Sequence, residues 1–311
     1  MRGAAMKEKA ALFGESRSML GILTDPVIEA GKNHQPAIIF LNAGILHRVG
    51  PNRIHVTTAR EMAQAGYCAF RFDFSGVGDS SVRMDNLPTE KSMVSETKDA
   101  MDYLNSAKGV NQFILAGICS GADAAFKTAY EDPRVVGLVM INGFNMTRSV
   151  EELVPDIRMS IQGRYYRKKI FNVDSWRRLL TGKSDIHRMK SFFWNKIKRI
   201  SKGKQRNVYD GSFVSDLNIL ADRGVDSCLI YSEGSSAFDL FKSAYGDMSH
   251  STNISGRLFV EIIQNTDHVF TLYWSQKYLI DLLHRWIEDK QRGWRAGRVT
   301  EAVQDRRYPG E

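Results

Sequence analysis

Cysteine and proline are scarce, at 3 and 7 of 311 residues. An odd, scattered cysteine count supports no disulfide framework, which points to a reducing compartment. No apolar run is long enough to span a bilayer, and the first residues carry no secretory leader pattern. A cytoplasmic protein is therefore expected. None of the seven histidines falls at metal-ligand spacing, so no metal and no cofactor are expected. No nucleic-acid-binding motif is present, and no nucleic-acid partner is expected. What remains, 43% apolar and 25% charged residues, is the composition of a globular protein. The length suits one large domain, or one domain with an insertion.

The stretch that organises the chain is Gln112-Phe113-Ile114-Leu115-Ala116-Gly117-Ile118-Cys119-Ser120-Gly121-Ala122. Its apolar run reads as a buried parallel strand. It ends in Gly-x-Cys-x-Gly, and small residues then lead into a helical pattern through Phe126 and Ala129. This is the layout of a nucleophile elbow with Cys119 at the turn. Glycines two before and two after let the backbones pack closely. The following helix points free N–H groups at the turn, where they favour negative charge. A thiol so placed is expected to have a lowered pKa. A small buried cysteine in an ordinary strand-to-helix turn is the plain alternative. Cys68 and Cys228 lie in strand-like runs and read as packing residues.

Strand and helix patterns alternate on either side. Ala10 to Pro26 reads as a hairpin joined through Gly14-Glu15-Ser16-Arg17. Strands are predicted over Pro36–Leu41, Tyr67–Phe72, Val135–Ile141, Val225–Tyr231 and Arg257–Ile263. Helices are predicted over Arg53–Gln64, Ser95–Ser106, Phe213–Asp222, Phe238–Tyr245 and Trp274–Ile287. The polar, Arg-rich stretch from Gln291 reads as a mobile tail. Such alternation argues for an α/β fold, a mostly parallel sheet with helices on both faces.

Three motifs, in this order and spacing, resemble the alpha/beta-hydrolase family. Leu41-Asn42-Ala43-Gly44 is similar to its oxyanion-hole segment. Arg71-Phe72-Asp73-Phe74-Ser75-Gly76-Val77-Gly78-Asp79-Ser80 is similar to its Asp-x-x-Gly-x-Gly-x-Ser turn. Gly117 to Gly121 is similar to its elbow. With His-Arg-x-Gly-Pro-x-Arg following Asn-Ala-Gly, the chain most resembles family members associated with exopolysaccharide and exosortase systems, with cysteine in place of serine. The resemblance implies one discontinuous core, residues 10–145 and 211–290, a cap at 146–210 and a tail at 291–311.

It also implies roles. Cys119 would be the nucleophile, and His268, in the loop after the last strand, the base. The N–H of Ser120 and one from the Ala43–Gly44 turn would bind the oxyanion, and His47 and Arg48 would touch substrate. The acid is less defined, because the family position falls near Ser235. Asp239 is favoured and Glu233 is the alternative; Asp267 is expected to point away. With a thiol nucleophile a thiolate–imidazolium pair can form before substrate arrives, so the acid matters less. Asp73 and Asp79 read as turn-holding residues, and Asp123 as a helix-packing residue.

Charge is very unevenly placed. Residues 158–206 hold 16 Lys/Arg against two Asp, net +14; the whole chain carries +8, so the remainder carries −6. Met189, Phe192, Phe193, Ile197 and Ile200 fall on one helical face among those charges. This reads as a basic helical cap. Such a segment can be a solvated surface, can lie on an anionic membrane at the inner surface, or can steer an anionic substrate such as a coenzyme A thioester or an acidic acyl-carrier domain. The leading expectation is a Cys-dependent acyl-transfer enzyme on an ester or thioester, with thioesterase or acyltransferase ahead of plain esterase. The alternatives are a catalytically silent binding or scaffold protein of the same fold, and a protein that docks on membranes through its basic cap.

Overall fold

The computed structural model describes residues 6–27, 35–143, 212–235, 237–238, 241 and 256–304. The expected cap at 146–210 and the acid candidate Asp239 lie outside these residues.

β1 (Lys7–Phe13) and β2 (Met19–Asp25) form the expected antiparallel hairpin, with Phe13 opposite Met19. β2 pairs antiparallel with β4 (Ala69–Phe72), and every later pairing is parallel. The remaining strands are β3 (Ala37–Leu41), β5 (Phe113–Ile118), β6 (Val135–Ile141), β7 (Asp226–Ser232) and β8 (Leu258–Ile263). The order across the sheet is β1-β2-β4-β3-β5-β6-β7-β8. From β3 the chain winds one way to β4, then returns past β3 to β5. The winding direction therefore reverses between β3 and β5, the point beyond whose carboxyl ends open α/β sheets place their ligand site. The chain has the alpha/beta-hydrolase fold anticipated from its motifs.

The strands are apolar on both faces because both are covered. Ala37, Ile39, Leu41, Phe113, Leu115, Leu138 and Met140 face one core, which includes residues of α2 (Thr89–Lys108), α3 (Ser120–Glu131) and α4 (Ser212–Asp222). The alternate residues Ile38, Phe40, Ile114, Ala116, Val139 and Ile141 face the other, with α1 (Ile54–Gln64) and α5 (Tyr273–Gln304). This is the period of two that a pleated strand imposes.

Two helices run longer than their patterns predict, each because a buried polar contact broke the apolar period. α2 begins at Thr89, not Ser95. Ser92 and Glu96 are on its buried face, and the Glu96 carboxylate accepts Ser92 Oγ (2.6 Å), the Ser75 N–H (2.8 Å) and Arg83 (3.1 Å). α5 continues through the expected mobile tail to Gln304. Trp294 is buried there, its Nε1 donates to Asp226 at 2.8 Å, and its ring meets Trp286 edge-on at 5.9 Å. Among the described residues no helix is long and apolar enough to cross a membrane.

Candidate active site

Cys119 lies between β5 and α3 with φ 54° and ψ −122°, a conformation that L-residues rarely adopt. The flanking glycines make it possible. A Cβ on Gly117 would sit 2.2 Å from the Gly121 backbone, and one on Gly121 would sit 2.4 Å from the Leu41 carbonyl oxygen and 2.5 Å from that of Asn42. The turn is thus clamped against the end of β3, and the Cys119 side chain is left exposed. The other two thiols are chemically quiet. Burial pushes Cys68 up to about 12 and Cys228 higher still.

The expected activation of Cys119 is not what the structure holds. Its thiol pKa is raised, chiefly because the group is partly desolvated. The Ser120 N–H, directed at the sulfur, pulls it down, and the charge of Asp123 in the first turn of α3 pushes it up again. The helix N-terminus is therefore outweighed by burial and a like charge. His268 is half-buried, and desolvation lowers its pKa against the smaller opposing effect of Asp267. Both shifts oppose the preformed thiolate–imidazolium pair that cysteine chemistry permits. No hydrogen bond joins the two side chains among the described residues.

Their positions are set through one strand exit. The Cys119 N–H donates to the Ile141 carbonyl at 2.9 Å. The next residue, Asn142, is buried with φ 50°. Its Nδ2 donates to the His268 carbonyl at 2.9 Å, and its Oδ1 accepts the Ser232 N–H at 2.8 Å and Oγ at 3.2 Å. One side chain thus ties the ends of β6 and β7 to the histidine loop. Asn52 does similar work from the other side, donating to the Val269 carbonyl at 3.1 Å. Asn42 is fully buried and donates to the Phe72 carbonyl at 2.9 Å. Neither Asn52 nor Asn142 belongs to the motifs that single out the site. For Asn142 the available signal is an asparagine directly after an apolar strand, a residue that tolerates positive φ and carries both donor and acceptor.

The oxyanion-side loop is built as a turn. Ala43 O accepts the Leu46 N–H at 3.0 Å, with Gly44 at φ 53° in the first central position. The Gly44 N–H donates to Ser120 Oγ at 2.7 Å, linking the two segments expected to form the hole. Arg48 is occupied. Its guanidinium pairs with the buried Asp73 carboxylate and, at 2.8 Å, with Asp79. Asp73 also accepts the Arg48 N–H and, at 3.1 Å, the Asp79 N–H. Arg48 therefore pins the Ala43–Gly44 loop to the turn after β4 rather than offering a free cation to substrate; Asp73 holds that turn through its carboxylate as anticipated, while the Asp79 side chain, expected to do the same, pairs with Arg48 instead. His47 is exposed, with Nδ1 accepting the Val49 N–H at 3.4 Å.

Of the acid candidates, Glu233 follows β7 and its Oε2 accepts the Asn265 N–H at 2.8 Å. Asp267 is spent on Thr271, whose N–H and O–H it accepts at 2.7 and 2.6 Å, while its charge still acts on His268. Among the described residues no cluster of three or more His, Cys, Asp or Glu side chains is arranged to hold a metal ion.

No family model matches the chain, and no curated protein matches its sequence. Solved structures do. An alpha-beta serine hydrolase homologue from Coxiella burnetii is 15% identical, over 86% of this chain and 90% of its own, with a TM-score of 0.51. A dienelactone hydrolase from Anabaena variabilis is 13% identical, over 93% and 99%, at 0.53. A proline iminopeptidase from Mycobacterium smegmatis is 14% identical, over 92% and 99%, at 0.54. At these identities the likeness is one of fold.

Proposed function

With the alpha/beta-hydrolase fold as its frame, we propose that this protein is an acyl-transfer enzyme that uses Cys119 on an ester or thioester. The observation that carries the reading is the elbow itself. An exposed thiol is held at φ 54°, ψ −122°, with the N–H of the next residue against its sulfur. Backbone strain of this kind costs about 1–3 kcal/mol, persists only where the surrounding structure over-determines it, and clusters at active sites. Relatives in fold named as a dienelactone hydrolase and an iminopeptidase support hydrolysis of an ester or amide as the coarser reading.

The proposed steps follow from the protonation states. His268, neutral, accepts the Cys119 proton as the sulfur attacks the carbonyl carbon, in the manner of a general base. The S–C bond forms, and the carbonyl electrons move onto oxygen, stabilised by the Ser120 N–H beside the Ala43–Gly44 turn, whose Gly44 N–H is bonded to Ser120. Collapse expels the alcohol or thiol, which takes the proton from the imidazolium. The acyl-cysteine then passes its acyl group to water or another acceptor. Asp239, or Glu233, orients His268. Thioesters fit best, since a thiol exchanges with them at little cost, and the basic stretch at 158–206 suits a donor linked to coenzyme A or to an acidic carrier protein. The same stretch suits an anionic membrane surface.

The test is intact-protein mass after incubation with acyl thioesters and activated esters. The wild type is expected to gain one acyl group that Cys119→Ala does not. No increment with any donor, and no protection of Cys119 from iodoacetamide, would sink the reading and favour a binding protein of hydrolase fold.

A further inference from the structure

The Gly44 amide, the donor that the β3 turn would offer an oxyanion, is already spent on Ser120 Oγ at 2.7 Å. A serine hydroxyl has two acceptor lone pairs and one proton. Accepting from Gly44 leaves that proton unused, and among the described residues it meets no acceptor. Further along the first turn of α3, the N–H groups of Ala122 and Asp123 are taken, donating to the Cys119 carbonyl at 2.9 and 3.3 Å. Ser120 therefore carries two donors beside the nucleophile, its own N–H against the sulfur and its O–H in the gap between the β3 turn and α3.

We infer that Ser120 is a side-chain oxyanion donor. Its O–H, with its N–H, binds the oxygen that becomes negative when Cys119 attacks, and Gly44 acts one bond behind. A hydroxyl that accepts a hydrogen bond donates a stronger one, so the Gly44 N–H polarises the group that meets the oxyanion. This assignment rests on the acyl-transfer reading and adds to it a residue whose side chain changes the rate. It also accounts for a serine at this position. Alanine would leave the Gly44 amide with no local acceptor and the hole with one donor fewer.

The experiment compares wild type, Ser120→Ala, Ser120→Thr and Cys119→Ala as full chains. Each is given a p-nitrophenyl ester and its thiono analogue, in which sulfur replaces the carbonyl oxygen. Loss of one oxyanion donor typically costs about 10²–10³ in kcat. Ser120→Ala is therefore expected to lose about 10²-fold in kcat with KM nearly unchanged, and Ser120→Thr, which keeps the hydroxyl, to recover most of it. The ester-to-thionoester rate ratio should fall in Ser120→Ala, because sulfur accepts hydrogen bonds poorly; a purely structural role would leave that ratio alone. Thermal melts establish that the variants are folded. The inference is overturned if Ser120→Ala keeps kcat within threefold or gains rate, as it would if the serine merely covered the Gly44 amide, or if the thionoester ratio does not move. The two levels separate by mass. No acyl adduct on wild-type Cys119 removes the acyl-transfer reading, whereas adduct formation at equal rates in wild type and Ser120→Ala removes only the role of the hydroxyl.

Discussion

Asn142 should behave as the keystone of the site although it touches no substrate. Its side chain satisfies the buried Ser232 N–H and holds the His268 carbonyl, at 2.8 and 2.9 Å. Deleting it leaves a buried donor and a loop carbonyl without partners, at about 1–3 kcal/mol each. Its backbone, at φ 50°, adds about 1 kcal/mol for any residue with a Cβ that cannot compensate locally. Three substitutions separate these effects. Asn142→Gly relieves the backbone and loses both bonds, so a loss of about 2–4 kcal/mol is expected. Asn142→Ala adds the backbone cost and should be the less stable of the two by about 1 kcal/mol. Asn142→Asp keeps the acceptor for Ser232 but replaces the donor to His268 with an oxygen, so it should lose activity out of proportion to stability. Urea unfolding followed by far-UV circular dichroism measures the first two, and kcat on an activated ester measures the third. The reasoning fails if Asn142→Gly unfolds within about 0.5 kcal/mol of wild type, or if Asn142→Asp retains full kcat.

Gly121→Ala would place a Cβ 2.4 Å from the Leu41 carbonyl oxygen, so α3 must back away from β3 by about 1 Å. A stability loss of about 1–3 kcal/mol and a fall in kcat of about 10²-fold are expected, read by urea titration and steady-state kinetics. His55 is buried beside Phe40, and burial together with the charge of Arg71 lowers its pKa to about 4. Because the folded value lies below the unfolded value near 6.5, its neutral form supports the fold fully above pH 6.5, and that support is lost as the pH falls towards 4. The loss is about 3 kcal/mol and should be largely absent in His55→Phe when melting is followed from pH 7 to 4. With the Cys119 thiol raised and the His268 imidazole lowered, kcat/KM should rise through an apparent pKa below 6.5, while iodoacetamide labelling of Cys119 at pH 7 should be slower than that of a free thiol. Rapid labelling at pH 6 would contradict this. Trp294→Phe removes the donor to the buried Asp226 and should cost about 1–3 kcal/mol in urea unfolding; no change would mean that the last turns of α5 do not anchor the helix.

The elements and their order were legible because they rest on local causes. Apolar runs such as Phe113–Ile118 and Val135–Ile141 have the length and continuity of strands buried on both faces, and the structure places both as read. The elbow was legible because its glycines obey a short-range steric rule: a Cβ at either would collide with backbone. The boundaries of α2 and α5 were not legible, since Glu96 and Trp294 are buried through partners far along the chain that no periodicity reveals.

Residue order alone is enough to read a parallel α/β sheet with a thiol at its switch point and a histidine after its last strand. Folding, by contrast, sets the direction in which those two pKa values move. Thiol and imidazole pKa values depend on desolvation and on which charges come near, and Asp123 and burial outweigh a helix N-terminus that sequence alone would credit. Folding also sets that Arg48 is held by two aspartates, that Asn142 ties down the histidine loop, and that the Ser120 hydroxyl accepts the Gly44 N–H. Each of these is a hydrogen bond or ion pair between segments some 25 to 126 residues apart, and the spacing of residue types along a chain does not encode such a contact.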